Sequence, residues 1–597
     1  MNNTTAHFDI ETNAIKDWST LSDLHTVHCM VVTNSEGVHR FRADSMEEGL
    51  KLLSSHNTIV GHNAIGFDYP ALNKLYKFRH PYVVDTVVLA RCIYPDLRND
   101  DFKRQNFPKE LIGSHSLKAW GKRIGEYKDD HGETEDWSTW SKEMEDYCVQ
   151  DVKVTQKLFD YLLRRNPSAQ MVDLEMRFAT IMRRQEINGF PFDVEAAEKL
   201  TSTLMARRAT LAKELSEEFK PSIEEMKSHV WVAPDGTQAK TKKELVAAGH
   251  KASDIKKGPK RRKFIPFNPN SRDQICERLM EQGWKPAAYE GKRPAINEGV
   301  LKEIGTPAAL KLCDYLLITK RLGQVAEGNQ AWLKLHRNGA IHGGVNTNGA
   351  LSGRCTHQNP NVAQVPAVRA PYGEECRSCF TAPEGKVLVG VDASGLELRC
   401  LAHYLYSWDK GAYAKEILEG DIHTANQHAA GLGTRDQAKT FIYAFLYGAG
   451  DAKIGSIVGG SSADGKRLKK DFMNKIPAIR RLIDAVASSL ERRPFLVGLD
   501  GRELPCRSQH SALNLLLQSA GAVIMKQALV EFVRMATKPY KLHANIHDEV
   551  QFSCDAEHAE ELGRCFVNAI TKAGKVLNFR CRLDGEYNIG NNWAETH

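Results

Sequence analysis

A helix-forming stretch of fourteen residues, RDQAKTFIYAFLYG, constrains this chain more than any other feature. The residues that it places at successive i+4 spacings are Arg435, Lys439, Tyr443 and Tyr447. Residues four apart lie on one face of a helix, so two cations and two aromatic rings share that face. A guanidinium binds phosphate oxygens bidentately, an ammonium adds a point charge, and a ring stacks on a base or sugar. The pattern predicts a helix that binds a nucleoside triphosphate; the alternative for an isolated motif is a solvated basic helix with core tyrosines.

Two further segments supply carboxylates for such a nucleotide. In LVGVDASGLELR, the apolar run 388–391 predicts a strand that ends in Asp392, followed by a turn and Glu397. In KLHANIHDEVQFSC, two apolar runs predict a hairpin whose turn, 547–549, contains Asp548. Side chains at strand ends and turns project out of a sheet, so these two aspartates are candidate oxygen ligands for two hard divalent cations.

The N-terminal third contains a second set of acidic residues. Asp9 and Glu11 are two apart in the strand-like run HFDIETN, so both carboxylates project from one face. Asp68 follows in GHNAIGFDYPAL, and Tyr147 and Asp151 lie one helical turn apart in MEDYCVQDVKVT. Four carboxylates from three segments can bind two metal ions about 3.5 to 4 Å apart and generate hydroxide. An isolated Asp-x-Glu is more often a polar strand edge, but the full set predicts phosphodiester hydrolysis with Tyr147 orienting the water.

Length and composition exclude several classes of protein. The chain has 597 residues, enough for about three or more domains or subdomains. The net charge of +7 permits a polyanionic partner without implying a basic coat over the whole surface. The 13 cysteines are an odd, scattered set, which indicates a reducing compartment. The one C-x-x-C, Cys376 to Cys379, lacks a second pair at zinc spacing and is expected to be structural, with zinc binding or redox chemistry as the alternative. No apolar run approaches the roughly 18 to 20 residues of a membrane span, so a cytosolic protein is expected.

The ordered motifs resemble a known family. The segments 391–399, 435–448 and 547–549 resemble motifs A, B and C of the family A DNA polymerases, and the chain is most similar to the replicative polymerases of T-seven-like bacteriophages. The segments that extend the resemblance are 352–366, 420–427, 514–522 and the terminal GNNWAETH. The N-terminal acidic set resembles motifs I, II and III of the proofreading 3′-5′ exonuclease fold.

The resemblance implies a mixed α/β fold, with an N-terminal RNase H-like 3′-5′ exonuclease domain followed by a right-hand polymerase domain. The implied boundaries are 1–175 for the exonuclease, 176–345 for the thumb with a basic insert near 220–266, 346–404 for the first part of the palm, 405–505 for the fingers and 506–597 for the second part of the palm. The insert itself has no clear apolar periodicity and is expected to be a solvated, irregular loop.

The resemblance also implies roles for single residues. The implied metal ligands are Asp392, Ala393 and Asp548 in the polymerase site and Asp9, Glu11, Asp68 and Asp151 in the exonuclease site. Each site is expected to take two Mg²⁺ ions, for which Mn²⁺ can substitute. The implied nucleotide contacts are Arg435, Lys439 and His423 to the phosphates, Tyr447 near the templating base, Glu397 as a steric gate against a 2′-hydroxyl, and Tyr443, which implies ready use of dideoxynucleotides. Lys439 is also expected to protonate the leaving pyrophosphate. The implied contacts to primer and template are Arg354, Asn361, Gln364, Asn514, Gln518 and His547.

The implied partners are primer-template DNA, deoxynucleoside triphosphates, a phage helicase-primase and a single-strand-binding protein, in the cytoplasm of an infected bacterium. In the T-seven-like group an inserted thumb segment recruits host thioredoxin. The segment 220–266 looks short for that purpose, which leaves a reduced thioredoxin site or a direct contact with DNA. Three alternative functions are a nuclease with a silent polymerase-like half, a non-enzymatic single-strand-binding protein, and an organellar or repair polymerase of family A.

Overall fold

A computed structural model describes residues 4–127 and 137–597 of the chain. The chain forms two compact units: one consists of Met1–Asp193 with Leu335–His597, and the other is Val194–Lys334. The predicted boundary at residue 175 falls inside a helix of the first unit, Ala169–Asn188. The second unit therefore begins and ends inside the range predicted for the thumb.

The N-terminal part of the first unit is built on a five-stranded sheet. Its strands are β1 (Thr5–Thr12), β2 (Val27–Asn34), β3 (Gly37–Arg42), β4 (Thr58–Gly61) and β5 (Val83–Asp85). Its helices are α1 (Met46–Ser54), α2 (Asp68–Tyr76), α3 (Thr86–Ile93), α4 (Leu97–Phe102), α5 (Leu117–Ile124), α6 (Lys142–Leu163) and α7 (Ala169–Asn188), and a short β6 (Phe190–Pro191) follows. The strand order is β3-β2-β1-β4-β5, with β1 to β3 antiparallel and β4 and β5 parallel to β1. In β1, Phe8 and Ile10 are buried and alternate with Asp9 and Glu11, as the period of two predicts.

The second unit consists of helices and a small sheet. Its elements are α8 (Val194–Glu218), β7 (Ser222–Val232), β8 (Gln238–Ala239), α9 (Lys242–Ala247), β9 (Lys256–Ile265), α10 (Arg272–Glu281), β10 (Tyr289–Glu290), β11 (Arg293–Pro294), α11 (Glu298–Ile304) and α12 (Pro307–Leu322). Ser271 caps α10 by accepting a hydrogen bond from the backbone N–H of Gln274 at 3.4 Å.

The prediction that 220–266 is an irregular loop is wrong. The segment forms a three-stranded antiparallel sheet in the order β8-β7-β9, closed by α9. Its core consists of only three buried residues, Ala233, Leu245 and Ile255. Charged and polar side chains cover both faces of the long strands, so the alternation of apolar residues that predicts a strand is missing from the sequence.

The remainder of the first unit contains a four-stranded antiparallel sheet. The elements that precede and form it are α13 (Trp332–Leu335), β12 (Ala340–Ile341), β13 (Gly344–Asn346), β14 (Thr356–Gln358), α14 (Gly373–Ser378) and β15 (Val387–Ala393). The helices that follow are α15 (Leu396–Asp409), α16 (Ala412–Glu419), α17 (Ile422–Ala430), α18 (Arg435–Leu446), α19 (Asp451–Ser456), α20 (Ser462–Lys475) and α21 (Pro477–Arg492). The last elements are β16 (Phe495–Val497), β17 (Glu503–Pro505), α22 (Ala512–Met535), β18 (Lys541–Ile546), β19 (Glu549–Cys554), α23 (Ala556–Val576) and β20 (Gly585–Gly590). The sheet order is β18-β19-β15-β20.

Helix α22 packs against α23, α7 and α15 at the centre of this unit. Within the described ranges, 509–535 is the one helical segment long and apolar enough to cross a membrane, and 78% of its most apolar window is buried inside the protein. A buried helix of a large core has the same composition. All 13 cysteines are free thiols.

A buried charged network joins the N-terminal part of the first unit to α22. Glu175 of α7 accepts hydrogen bonds from Arg502 and, at 2.7 Å, from the Nζ atom of Lys526. Arg502 also forms an ion pair with Asp500, with 2.9 Å between Nε and Oδ1. These four side chains are almost completely buried. Two acids and two bases share one site, so each charge is compensated.

Candidate active sites

The sheet of β15 and β19 brings the two predicted polymerase aspartates together. Asp392 is near the end of β15, and its Cα pairs with that of Glu549, the first residue of β19. Asp548 occupies the turn between β18 and β19, where His547 has a left-handed φ of 57°. The backbone N–H of Ala393 donates a hydrogen bond to the carbonyl of Asp548 at 3.1 Å. The predicted strand and hairpin are both confirmed, and they supply two adjacent carboxylates.

The electrostatics of this pair favour a bound cation. Burial, and then the charges of Asp548 and Glu549, raise the pKa of Asp392 to about 7. Burial, and then Glu397, also raise the pKa of Asp548. Two carboxylates that repel each other in a partly buried site are oxygen donors that a hard divalent cation stabilises. The donor set therefore fits Mg²⁺.

A third carboxylate beside the pair, Glu549, is neutralised by other residues. Its Oε1 lies 3.4 Å from the Arg377 guanidinium and accepts a hydrogen bond from the Trp593 indole, and its Oε2 lies 3.0 Å from Nδ1 of His597. The Arg377 guanidinium also lies 4.4 Å from the centre of the Trp593 ring. No spacing in the sequence relates these residues, so sequence reasoning missed them.

Helix α18 presents the predicted cationic and aromatic face. Thr434 and Gln437 form a capping box at its start, which fixes where the helix begins. The residues buried on its other side are Ala438, Phe441, Ile442 and Leu446. The predicted face is accessible: Arg435, Lys439 and Tyr447 are exposed and Tyr443 is half-buried. The periodicity alone thus separated the core face from the candidate binding face.

A second helix start lies beside the cations of α18. Asp421 caps α17 and forms an ion pair with Arg435, with 2.8 Å between Oδ2 and Nε. This contact with Arg435 lowers the pKa of Asp421. Burial, and then the charges of Arg435 and Lys439, lower the pKa of His423, whose Nδ1 is buried and has no hydrogen-bond partner among the described residues. A neutral imidazole and two cations therefore converge, and Asp421 is a contact that the motif did not predict.

The predicted steric gate contacts the end of α18. The Tyr447 hydroxyl donates a hydrogen bond to Glu397 at 3.1 Å, and the Arg354 guanidinium lies 3.9 Å from the same carboxylate. Burial, and then Arg354, lower the pKa of His547. Glu397, Tyr447 and Arg354 thus form one cluster beside the aspartate pair.

The other four predicted DNA contacts lie on two elements. Asn514 and Gln518 are one turn apart on α22. Asn361 and Gln364 belong to the short helical segment after β14. Strand β14 is tied to β18 by a 3.1 Å contact between Nε2 of His357 and the carbonyl of Asn545.

The second acidic set also converges. Asp9 and Glu11 of β1, Asp68 at the start of α2, and Tyr147 and Asp151 of α6 all line one cavity of about 750 Å³. The backbone N–H of Ile10 donates to Asp68 at 3.2 Å, which ties α2 to β1. Burial raises the pKa of Asp68 to about 7, and Asp85 and Asp151 contribute. All five predicted residues thus line one cavity, and burial disfavours the charged form of Asp68.

Several residues in this cavity or next to its acidic groups were not predicted. Asp85 is buried and accepts hydrogen bonds from the backbone N–H groups of Asn63 and Ile65 at 3.0 Å, so it positions the loop before Asp68. His115 and Arg91 line the cavity, and burial lowers the pKa of His115 to about 3. Cys148 places its thiol 3.6 Å from Oδ2 of Asp9. Only the position of Asp85 at a strand end was a signal in the sequence.

Comparison with known proteins identifies the class. The family model described as DNA polymerase family A matches residues 237–595. The chain therefore belongs to DNA polymerase family A. Its fold is similar to the POL domain of Pol1 from M. smegmatis, solved in complex with DNA primer-template and dNTP, with a TM-score of 0.74, 15% identity, and coverage of 100% of this chain and 96% of that one.

Within the family, the chain is similar to phage enzymes over nearly its whole length. The DNA-directed DNA polymerases of Enterobacteria phage T3 and Escherichia phage T7 are each 38% identical to it over 99% of both chains. The corresponding enzyme of Escherichia phage Phieco32 is 32% identical over 56% of this chain and 68% of its own. The protein is a DNA-directed DNA polymerase close to the T7-like phage polymerases.

Proposed function

We propose that this protein replicates phage DNA in the cytoplasm of an infected bacterium, and that it combines template-directed synthesis with a proofreading 3′-5′ exonuclease. The observation that carries the synthetic function is that Glu397 links the Asp392–Asp548 pair to the end of α18: it accepts a hydrogen bond from Tyr447, and burial together with its charge raises the pKa of both aspartates. Phage relatives over 99% of the chain favour replication over an organellar or repair role.

In synthesis, Asp392, Asp548 and the carbonyl of Ala393 would hold two Mg²⁺ ions, or Mn²⁺ in their place. When bound, these ions supply activation of the primer 3′-hydroxyl and neutralisation of the departing pyrophosphate. Arg435, Lys439 and His423 bind the triphosphate along α18, which requires Arg435 to exchange Asp421 for phosphate oxygens. Lys439 then donates a proton to the pyrophosphate.

Specificity comes from the cluster beside the pair. Glu397 blocks a 2′-hydroxyl, and its hydrogen bond to Tyr447 fixes the carboxylate in place. Tyr443 lies between this cluster and the phosphate-binding residues, and we infer ready acceptance of dideoxynucleotides. The Tyr443→Phe variant is expected to discriminate against dideoxynucleotides at least about tenfold more strongly, as measured by chain termination at matched concentrations; equal termination by both enzymes contradicts this role.

Hydrolysis is assigned to the N-terminal cavity. The strand order β3-β2-β1-β4-β5, with one edge antiparallel and the other parallel, supports an RNase H-like exonuclease domain. Asp9, Glu11, Asp68 and Asp151 are oxygen donors for two Mg²⁺ ions, and the burial of Asp68 near the charge of Asp151 fits a cation-binding role. Tyr147 lies in the same cavity and orients the attacking water.

The experiment follows a labelled primer on a template in Mg²⁺, with and without the four deoxynucleotides. The wild type is expected to extend the primer in the first reaction and shorten it in the second. The double variant Asp9→Ala, Glu11→Ala is expected to reduce the rate of primer shortening by about 10³-fold and to leave primer extension unchanged. Glu36→Ala, an exposed acid in the turn between β2 and β3, is the control. Shortening without any extension by the wild type refutes synthesis and indicates a nuclease with a silent polymerase-like half.

The sheet of the second unit supports direct contact with DNA. The segment 220–266 contains twelve lysines and arginines against five acids, a net charge of +7 that equals the net charge of the whole chain. We infer that Lys260, Arg261, Arg262 and Lys263 of β9 neutralise phosphates of the bound duplex, without host thioredoxin. Reversing these four charges should shorten the DNA products that are made in one binding event. It should also weaken the dependence of DNA binding on salt concentration. Processivity that depends on added thioredoxin contradicts this inference.

Helicase-primase and single-strand-binding protein are the replisome partners to test by co-purification.

A further inference from the structure

The first unit contains a basic cavity that shares no lining residue with the acidic one. It is lined by residues of α2, of α7 and of the loop after β1, and its volume is about 400 Å³. The charged residues that line it are all basic: Lys74, Arg79, Arg183 and Arg184. A cavity of this size is within the range of small-molecule sites, and its charge favours an anion.

Two of the four cations form the wall of the basic cavity. The Nζ atom of Lys74 donates hydrogen bonds to backbone carbonyls of the loop after β1, at 3.1 and 3.2 Å. Arg183 is only 8% exposed, donates to the carbonyl of Trp18 at 2.7 Å and lies 3.0 Å from Oε2 of Glu186. Its Nε–H has no hydrogen-bond partner among the described residues. These two side chains therefore hold the loop in place beside α7.

The other two cations are available to a ligand. Arg79 and Arg184 are exposed at the basic cavity. Within 4–127 and 137–597, neither side chain forms an ion pair or a hydrogen bond. A guanidinium donates two parallel hydrogen bonds to a phosphate, and the planar fork matches phosphate oxygens. Two such groups without acidic partners at one cavity favour a phosphate group as the anion.

The remaining lining of the basic cavity suits a flat ring. The half-buried ring of Tyr69 lies among the apolar side chains of Ile65, Pro70 and Ile187. A nucleobase stacks on a tyrosine ring whatever its identity, because every base has a π-face. The cavity thus combines cations for a phosphate with an aromatic and apolar surface for a base.

We propose that the basic cavity binds a nucleoside monophosphate, with Arg79 and Arg184 on the phosphate and Tyr69 against the base. Lys74 and Arg183 are positioning residues that hold the loop after β1. The phosphate at the end of a DNA strand has the same chemistry, but a cavity of about 400 Å³ favours a free nucleotide. The site lies outside both acidic centres, and the proposal does not rest on the proposed function.

Equilibrium dialysis of the full chain against labelled deoxyadenosine monophosphate, without DNA, tests the site. EDTA is present, so that no divalent cation holds the nucleotide in an acidic centre. The wild type is expected to bind about one equivalent, and the double variant Arg79→Ala, Arg184→Ala is expected to bind at least about tenfold more weakly. No binding by the wild type, or equal binding by wild type and this variant, overturns the proposal.

A matched control removes two other exposed arginines of the first unit. The double variant Arg164→Ala, Arg481→Ala has the same loss of charge, but neither residue lines the basic cavity. It is expected to bind the nucleotide like the wild type. A loss equal to that of the cavity variant shows that net charge alone attracts the nucleotide, and it overturns the proposal.

Variants of Tyr69 test whether the base is bound. Tyr69→Leu removes the flat ring and should weaken binding of deoxyadenosine monophosphate about threefold or more, whereas Tyr69→Phe keeps the ring and should bind like the wild type. Competition by inorganic phosphate should be the same in all three proteins. Inorganic phosphate that competes as well as the unlabelled nucleotide overturns the assignment to a nucleotide.

A short single strand with a 5′-phosphate distinguishes a free nucleotide from a strand end. The strand is expected to leave the labelled nucleotide bound to the wild type at equal concentration, because the basic cavity has room for one nucleotide. If the strand displaces the nucleotide from the wild type and binds more weakly to Arg79→Ala, Arg184→Ala, the cavity belongs to a DNA path, and the proposal is wrong.

Discussion

The two acidic centres of the first unit reach similar electrostatics in different ways. Each contains an aspartate whose pKa burial raises to about 7, Asp392 in one and Asp68 in the other. In the first centre the extra acid, Glu549, is neutralised by side chains distant in sequence, Arg377 and His597. In the second, backbone N–H groups and a thiol surround the carboxylates. Both centres join segments that are distant in sequence, but the N-terminal centre takes its residues from 9–151, whereas the other centre takes them from 377–597.

Exchanging the acidic residues gives the largest expected effect. Asp392→Asn should reduce primer extension by about 10³-fold and leave shortening intact, because the lost ligand belongs to one centre only. Asp68→Asn should do the reverse. Extension and shortening are measured on the same labelled primer, with Asp555→Ala, an exposed acid just beyond β19, as the control. Parallel loss of both activities in either variant would show that the centres are not independent.

The second-largest effect is expected from the buried charged network that joins the N-terminal part of the first unit to α22. Arg502→Met removes a positive charge that compensates the buried carboxylates of Glu175 and Asp500. Breaking such a network lowers the free energy of unfolding by roughly 3 to 5 kcal/mol. Urea unfolding followed by circular dichroism measures the loss. Arg165→Met removes an exposed ion pair with Glu503 at 3.7 Å on the same hairpin and should cost about 1 kcal/mol or less. Similar losses of unfolding free energy in the two variants would contradict the proposal that the buried network holds the two regions together.

A smaller effect is expected on the cationic face of α18. Lys439→Ala should reduce the rate of single-nucleotide incorporation by about 10²-fold, since it removes both a phosphate contact and a proton donor. Lys453→Ala, an exposed lysine of the following helix, should change the rate less than twofold. Shortening without nucleotides should be unaffected by either. If Lys439→Ala alters only the apparent affinity for nucleotide, the proton-donor role is wrong.

The smallest effect concerns pH and metal. A carboxyl whose folded-state pKa is raised binds a proton that the unfolded chain releases, so its contribution to stability is present below pH 4 and is lost as pH rises to about 7. Without metal, Asp392→Asn and Asp68→Asn should therefore remove part of the fall in melting temperature between pH 5.5 and 8, by a few degrees at most. Mg²⁺ should stabilise the wild type more at pH 8 than at pH 5.5. Identical pH profiles for wild type and both variants contradict the assignments.

Much of both centres was predictable because local patterns determined it. The period of two in β1 placed Asp9 and Glu11 on one face, and the i+4 spacing placed Arg435 and Lys439 on the open face of α18. The β18–β19 turn placed Asp548 at the end of the sheet. The sheet in 220–266 was missed because its strands are polar on both faces, so backbone pairing rather than an apolar stripe defines them.

The sequence by itself therefore determined the class of protein, the carboxylates and the helix that faces them, because these depend on residue type and spacing along one element. Only the tertiary structure decided what surrounds them. Arg377 and His597 meet Glu549 across 172 and 48 residues of chain. Cys148 reaches Asp9 because α6 packs on β1. Such contacts arise when separate elements share one core, and no local spacing encodes them.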